Sequence, residues 1–308
     1  MLHTGKKTVY KAFGLLIASE ILMPELPEAW TGLPFSDVEI LLGDVSEEWR
    51  ELKDDLNEFS FSKDRVLFEV ADAAIFSIEK GNRIIVTPLK NYDEDIVRLY
   101  ILGTCMGAIL LQKKILPLHG SAIAIDGKAY GIIGNSGAGK STLASALLSL
   151  GHDFLSDDII AISLSENDGH PEVIPAYPQQ KLWSESLENF GKEAGSYRSI
   201  YGRETKYNVP VENRFHSEPL PLAGVFELIA EDNQDNTIIT IRHLKRFFTF
   251  YYHTFRNFLI PSLNLMEWHF HMCSKLISSI PIYQVRRASN GFTALQLAEL
   301  ILEKVEEN

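Results

Sequence analysis

Residues 134–142 read Gly-Asn-Ser-Gly-Ala-Gly-Lys-Ser-Thr, and no other stretch constrains the fold of this chain so tightly. Gly134, Gly137 and Gly139 let the backbone turn sharply enough for the N–H groups of Asn135, Ser136, Ala138 and their neighbours to converge on one anion. A helix beginning at Lys140 would add the positive end of its dipole. In such a loop Lys140 bridges the outer phosphates of a nucleotide, the Ser141 hydroxyl holds Mg²⁺, and the whole run from Gly134 through Thr142 is the expected nucleotide-binding set. At ordinary residue usage this spacing arises by chance in roughly one chain of this length in a hundred. The surroundings of the loop therefore decide its meaning.

Those surroundings predict a strand, a loop and a helix. Residues 121–126 alternate, Asp126-Gly127 is a tight-turn signal, and 128–134 form a second apolar run, so a hairpin delivers the loop. Leu143, Leu147 and Leu150 then recur at helical spacing, and Gly151 stands where a helix stops. Residues 152–163 read as one further buried strand that carries Asp157 and Asp158. Adjacent carboxylates in an apolar strand are costly unless something charged binds there. Strand ends of a nucleotide fold face one crevice, which points the pair at the phosphate loop.

Composition narrows the remaining choices. The 308 residues suffice for one large domain or two, and the net charge of −12 argues against nucleic acid or an anionic membrane as partner. The two cysteines, Cys105 and Cys273, offer no disulfide framework and suit a reducing, cytoplasmic setting. The apolar run 96–111 contains Arg98 and is too short to span a bilayer. Residues 1–115 read as a smaller α+β domain, with strands over 11–19, 68–78 and 83–88 and a long helix over 93–114, packing against a second domain of 116–308. The expected class is α/β, a mixed sheet around the loop.

Residues 165–217 are polar and rich in turn formers, the place to expect an acceptor-binding region. Within it Arg203, Lys206 and Arg214 are candidate phosphate clamps, Lys206 foremost. Strands are expected over 219–230, 237–241 and 280–286, with a closing helix over 293–307. His269 and His271 look like metal ligands, but two residues apart on a helix they diverge. Phe247, Tyr251, Phe255 and Phe258 recur at helical spacing, a pattern of packing more than of ligand binding.

The ordered set Leu118-His119-Gly120-Ser121, the loop 134–141, Gly151-His152 and Ser156-Asp157-Asp158 resembles the catalytic core of HPr kinase/phosphorylase. The opening Tyr10-Lys11-Ala12-Phe13-Gly14-Leu15, followed by Pro24-Glu25-Leu26, is similar to HPr-kinase-related lasso peptide tailoring kinases of the paeninodin type. The resemblance implies an HPr-kinase-like P-loop domain that uses ATP and Mg²⁺ to phosphorylate a Ser or Thr hydroxyl of a ribosomally made precursor peptide. Carried over, Asp157 is the base that accepts the hydroxyl proton and His119 lies beside it. Asp158 either helps Ser141 hold Mg²⁺ or anchors a neighbouring cation. Two departures bear on function. Thr142 stands where the bifunctional enzymes have Glu, and their downstream Arg-containing signature has no counterpart, so a reverse, phosphorylase reaction is not implied.

Two other readings stay open: a kinase of a small hydroxylated metabolite or of an HPr-like protein, and a non-catalytic protein that uses nucleotide occupancy to present a peptide-binding surface. The acidic pair weighs against the latter, since a binding switch needs no general base. Assembly leaves no mark in a single sequence, so a homo-oligomer stays open.

Overall fold

The computed structural model describes residues 3–29, 35–53, 58–62, 64–200, 203–231, 235–288 and 291–307, and within these the side chains of 3–6, 203, 204 and 212 are not described. The chain divides into two compact units, 1–115 with 258–269, and 116–257 with 270–308.

The first unit is built on a seven-stranded sheet ordered β1-β2-β3-β7-β6-β5-β4. Its strands are β1 (His3–Ala12), β2 (Leu15–Ile21), β3 (Val38–Leu42), β4 (Phe59–Ser62), β5 (Arg65–Val70), β6 (Ala74–Glu79) and β7 (Arg83–Pro88). Two stretches expected as single strands are hairpins. The run 11–19 reverses at Phe13-Gly14, both at positive φ, and 68–78 reverses within 71–73. Helix α1 (Ser46–Leu52) buries Trp49 against Leu67 and Ile75. The long helix expected over 93–114 comprises α2 (Glu94–Tyr100), a π-helical turn over Ile101–Cys105 and α3 (Met106–Gln112). Asp93 caps α2 by accepting from the N–H groups of Asp95 and Ile96. Arg98 is buried in that helix, held by Glu25 at 2.9 Å and by Asp95. Among the described residues no helix is long and apolar enough to cross a membrane.

The second unit carries an eight-stranded mixed sheet and a small three-stranded one. β8 (Leu116–Ile125) and β9 (Lys128–Gly134) form the expected hairpin around Asp126-Gly127. α4 (Lys140–Ser149) follows the loop. β10 (Asp153–Ser156) and β11 (Ile159–Leu164) both pair antiparallel with β8, so the single strand expected over 152–163 is broken at Asp157-Asp158. Asp158 has φ of 70°, a conformation Asp tolerates better than most side chains. Within 165–217 the described residues form β12 (Pro171–Ile174), β13 (Gln179–Trp183), α5 (Ser184–Asn189), β14 (Arg198–Ile200) and β15 (Arg203–Pro210), with β13, β15 and β14 making the small sheet. β16 (Leu220–Glu231), β17 (Thr237–Thr240), α6 (Leu244–His253), α7 (Leu259–Ser262), α8 (Met266–Ser279), β18 (Ile282–Ala288) and α9 (Ala294–Glu306) complete the chain, with α7 and the first turn of α8 belonging to the first unit.

Strands β9, β16 and β18 run parallel, and β10, antiparallel to β8 like β9, points the same way. Their carboxyl ends therefore open onto one edge, where a parallel α/β sheet binds its ligand. Beneath that edge a core of Ile123, Ile132, Leu143, Leu147, Phe154 and Phe226 fixes α4 and α9 against the sheet. Burying each large apolar side chain contributes about 1.5–3 kcal/mol, so α4 has little freedom to drift from the strand that feeds it. Gly120 of β8 leaves no room for a side chain beside β9. A Cβ there would lie 2.3 Å from the Ile132 carbonyl oxygen.

Candidate active site

The loop between β9 and α4 is built for an anion. Gly139 sits at φ 104° as the residue before α4, a conformation that favours glycine, and lets the helix start with the first N–H groups of its opening turn facing the loop. Lys140 is buried and turned back over the loop, its Nζ donating to the carbonyls of Gly134 at 2.9 Å and Asn135 at 3.1 Å. Arg287, at the end of β18, donates from Nε to the Ala138 carbonyl at 2.8 Å. The peptide group is planar and trans, so a carbonyl held outward by Arg287 aims the Gly139 N–H the opposite way. Arg287 carried no sequence signal, because it lies 149 residues from the carbonyl it holds.

Asp157 faces this loop from the end of β10. Its Oδ1 accepts from the hydroxyls of Ser121 at 2.6 Å and Ser141 at 2.9 Å, and its Oδ2 accepts from the Lys181 backbone N–H at 2.8 Å. An ionised carboxylate offers about four lone-pair positions, and these three donors leave room for one more hydroxyl. Ser141, having donated its proton to Asp157, keeps its own lone pairs available to a cation.

Asp158 belongs to a different set of contacts. Its Oδ2 pairs with Lys181 Nζ at 2.7 Å, its Oδ1 lies 3.5 Å from His119 Nδ1, and its backbone carbonyl meets the same Nδ1 at 3.0 Å. His119 thus bonds to the second aspartate, where the resemblance places it beside the first. Of the two roles open to Asp158, the anchoring of a cation is the one its contacts display. Burial pushes the Asp158 carboxyl up, but the charge and hydrogen bond of Lys181 prevail and hold it well below the usual carboxylate range. Burial pushes Lys181 down, and the Asp158 charge more than offsets it, leaving the ammonium above its ordinary value. Burial and the Lys140 charge keep His119 below its ordinary value, and burial lowers Lys140 itself.

The other sequence candidates divide. Thr142 shares a hydroxyl hydrogen bond of 2.8 Å with Ser186 of α5, tying the loop helix to the 165–217 region. Lys206 on β15 lies 5.4 Å from the Trp183 ring centroid, and its charge acts on both Lys140 and Asp158. The backbone of Arg203 begins β15, while its side chain lies outside the described residues. Arg214 is elsewhere: it donates to the Gly151 carbonyl at 2.6 Å, beyond the far end of α4 from the loop. Lys181 and Ser121 were missed. Lys181 stands in an alternating strand with nothing to distinguish it from a solvated lysine.

For Mg²⁺ the chemistry of the donors is suitable, all oxygen, from Ser141 and the neighbouring Asp157 carboxylate, with Asp158 engaged by Lys181. Among the described residues no group of three or more His, Cys, Asp or Glu could hold a metal alone. Mg²⁺ commonly takes one or two protein oxygens and completes its shell with phosphate and water, which this arrangement permits.

The site is a glycine-rich loop at the start of a helix, faced by two adjacent carboxylates on a mixed α/β sheet. No family model matches the chain. Over 64 residues it is 38% identical to the HPr kinase/phosphorylase of Mycoplasmopsis pulmonis, covering 20% of this chain and 21% of that protein. Over 95 residues it is 37% identical to the HPr kinase/phosphorylase of Aromatoleum aromaticum, covering 31% of this chain and 26% of that protein. The chain thus spans about a quarter of the length of the curated relatives it matches. The solved Hpr(Ser) kinase/phosphatase from Coxiella burnetii aligns with 62% of this chain and 91% of its own at 14% identity, with a TM-score of 0.33.

Proposed function

We propose that this protein is an ATP- and Mg²⁺-dependent kinase of the HPr-kinase-like type that phosphorylates a Ser or Thr hydroxyl of a ribosomally made precursor peptide, the C-terminal Ser of a lasso peptide precursor in particular. The observation that carries the transferase reading is the placement of Asp157. Its carboxylate already accepts two hydroxyl protons beside the phosphate loop, which is the contact a base makes with an incoming acceptor hydroxyl.

In this mechanism Lys140 and the loop N–H groups hold the β- and γ-phosphates, with Arg287 keeping the Gly139 N–H turned toward them. Ser141 would hold Mg²⁺, which would supply charge neutralisation on the transferred group. Asp157 orients the acceptor hydroxyl in line with the γ-phosphorus and takes its proton as the new O–P bond forms and ADP leaves. Lys181 holds Asp158 and, through its backbone N–H, Asp157. Lys206 is the proposed further clamp on the transferred phosphoryl group, with Arg203 beside it in sequence. The reading of 1–115 as a smaller domain beside a kinase domain of 116–308, from which the segment 258–269 departs to join the first unit, is part of the same proposal, as is a cytoplasmic site of action.

Incubation with Mg·ATP and a lasso precursor peptide ending in Ser, read by intact mass, tests this. A gain of one phosphate in the peptide, absent with Asp157→Ala, is expected. An unmodified peptide with a phosphorylated hydroxylated metabolite would favour the small-molecule reading, and nucleotide binding without turnover the binding-switch reading.

A further inference from the structure

Helix α6 exposes apolar side chains on the face opposite its core. Phe250 is fully buried and His253 nearly so, whereas Leu244, Phe248 and Tyr252 are 76%, 62% and 64% exposed. These three recur every four residues and form one continuous stripe. Phe270 of α8, 54% exposed, extends the patch through its ring contact with Phe247 at 5.2 Å. Isolated exposed apolar residues are ordinary, but an aligned set on one helix face marks an interaction surface.

The segment that carries this stripe is basic, and the exposed Glu267, one turn before Phe270 on α8, is the acid at the edge of the patch. Across residues 236–257 the chain carries Arg242, Lys245, Arg246 and Arg256 and no Asp or Glu, in a protein of net charge −12. Arg246 is engaged with the Ile280 carbonyl, while Arg242 and Lys245 flank Leu244 and are exposed. The charge balance is locally inverted around an apolar face, which selects an acidic partner with apolar side chains. The stripe also leads to the site. Just past the end of α6, Thr254 bridges to Leu118, the Phe255 N–H donates to the Pro117 carbonyl at 2.8 Å, and the Phe255 ring lies 5.9 Å from that of His119. The ten residues of α6 span about 15 Å, the length of roughly five residues of extended chain.

We propose that the exposed face of α6 docks an acidic, apolar-anchored segment of the peptide to be phosphorylated and leads its hydroxyl toward His119 and Asp157. This rests on the peptide-kinase reading above. A general attraction to anionic membranes fits less well, because the chain as a whole is repelled by them and because a membrane gives no reason for the stripe to run to His119.

Two fluorescein-labelled synthetic peptides test the surface. Both carry Leu and Phe and end in Ser, and they differ only in Glu or Lys at the intervening positions. Binding is read by anisotropy and transfer by intact mass, with wild type, Phe248→Ser and Lys245→Glu. Both variants alter exposed side chains outside the catalytic set. The Glu peptide should bind wild type, and Phe248→Ser should weaken it about tenfold, raising KM and leaving kcat in place. Lys245→Glu should weaken the Glu peptide and strengthen the Lys peptide. Failure of wild type to bind the Glu peptide, equal binding of the two peptides, or affinity unchanged in Phe248→Ser would overturn the proposal. So would a dimer in light scattering that Phe248→Ser dissociates, or flotation with phosphatidylserine vesicles lost in that variant, since the stripe would then serve another partner. Binding of the Glu peptide with the expected variant effects but no phosphate transfer would sink the kinase reading and leave the docking surface standing.

Discussion

Lys140 Nζ and His119 Nε2 meet at 3.3 Å, and the contact fixes the protonation of the imidazole. An ammonium donates and cannot accept, so Nε2 supplies the lone pair and the proton resides on Nδ1. Nδ1 in turn donates to the Asp158 carbonyl at 3.0 Å. His119 is therefore neutral in this arrangement, in accord with the lowering of its pKa by burial and by Lys140.

A pH dependence follows. Protonating His119 removes the acceptor that Lys140 uses and places two positive charges in contact. Because the folded-state value lies below the ordinary histidine value, activity should be flat above pH ~6.5 and fall as pH drops beneath it. His119→Asn should flatten the acid limb of kcat/KM; an unchanged limb would show that another group sets it.

The Lys181–Asp158 pair should behave as a buried pair does. Lys181→Met leaves the Asp158 carboxylate without its cation and should destabilise the fold by about 2 kcal/mol, a figure reduced because Asp158 is 27% exposed. Adding Asp158→Asn should restore most of that loss in urea melts. Restored stability without restored activity would show that the pair also positions Asp157.

Arg287 acts on the loop through one carbonyl. Arg287→Met should raise the dissociation constant for Mg·ADP about tenfold while changing the melting temperature little, because the side chain is only half-buried. Titration calorimetry distinguishes this from a general loss of structure, which would lower the melting temperature as well.

His269 provides a second pH signal, on stability. It is 1% exposed, and burial lowers it from 6.5 to about 4. The unfolded chain takes up the proton first, so stability is unaffected above pH 6.5 and declines as pH falls from 6.5 toward 4. The full loss is about 3 kcal/mol, and His269→Leu should remove that slope from urea midpoints measured against pH.

How much of this was legible in the sequence depends on whether a feature is local. The loop 134–142, its hairpin and α4 follow from spacing and turn residues within one short segment. The turn at Phe13-Gly14 was hidden because apolar residues flank it on both sides, and only the positive φ at both positions reveals it. Asp157 and Asp158 were readable as a pair, yet not as a chain reversal that sends one carboxylate to Ser141 and the other to Lys181. Lys181 and Arg287 reach the site by strand pairing and a crossover, which leave no periodicity behind. The aromatic spacing Phe247, Tyr251, Phe255 and Phe258 suggested a longer helix than α6, which ends at His253, and the exposed stripe of Leu244, Phe248 and Tyr252 was not read, because which face lacks cover is a tertiary fact.

The most direct measurement separates binding from transfer at Asp157. Mg·ATP affinity by calorimetry and single-turnover transfer from γ-labelled ATP to the precursor peptide should be recorded for wild type and Asp157→Asn, an isosteric change. The account predicts affinity within about threefold and transfer reduced by at least ~10³-fold, the loss of a general base. Transfer at the wild-type rate in Asp157→Asn, or no transfer by wild type to any peptide while Mg·ATP is bound, would contradict it.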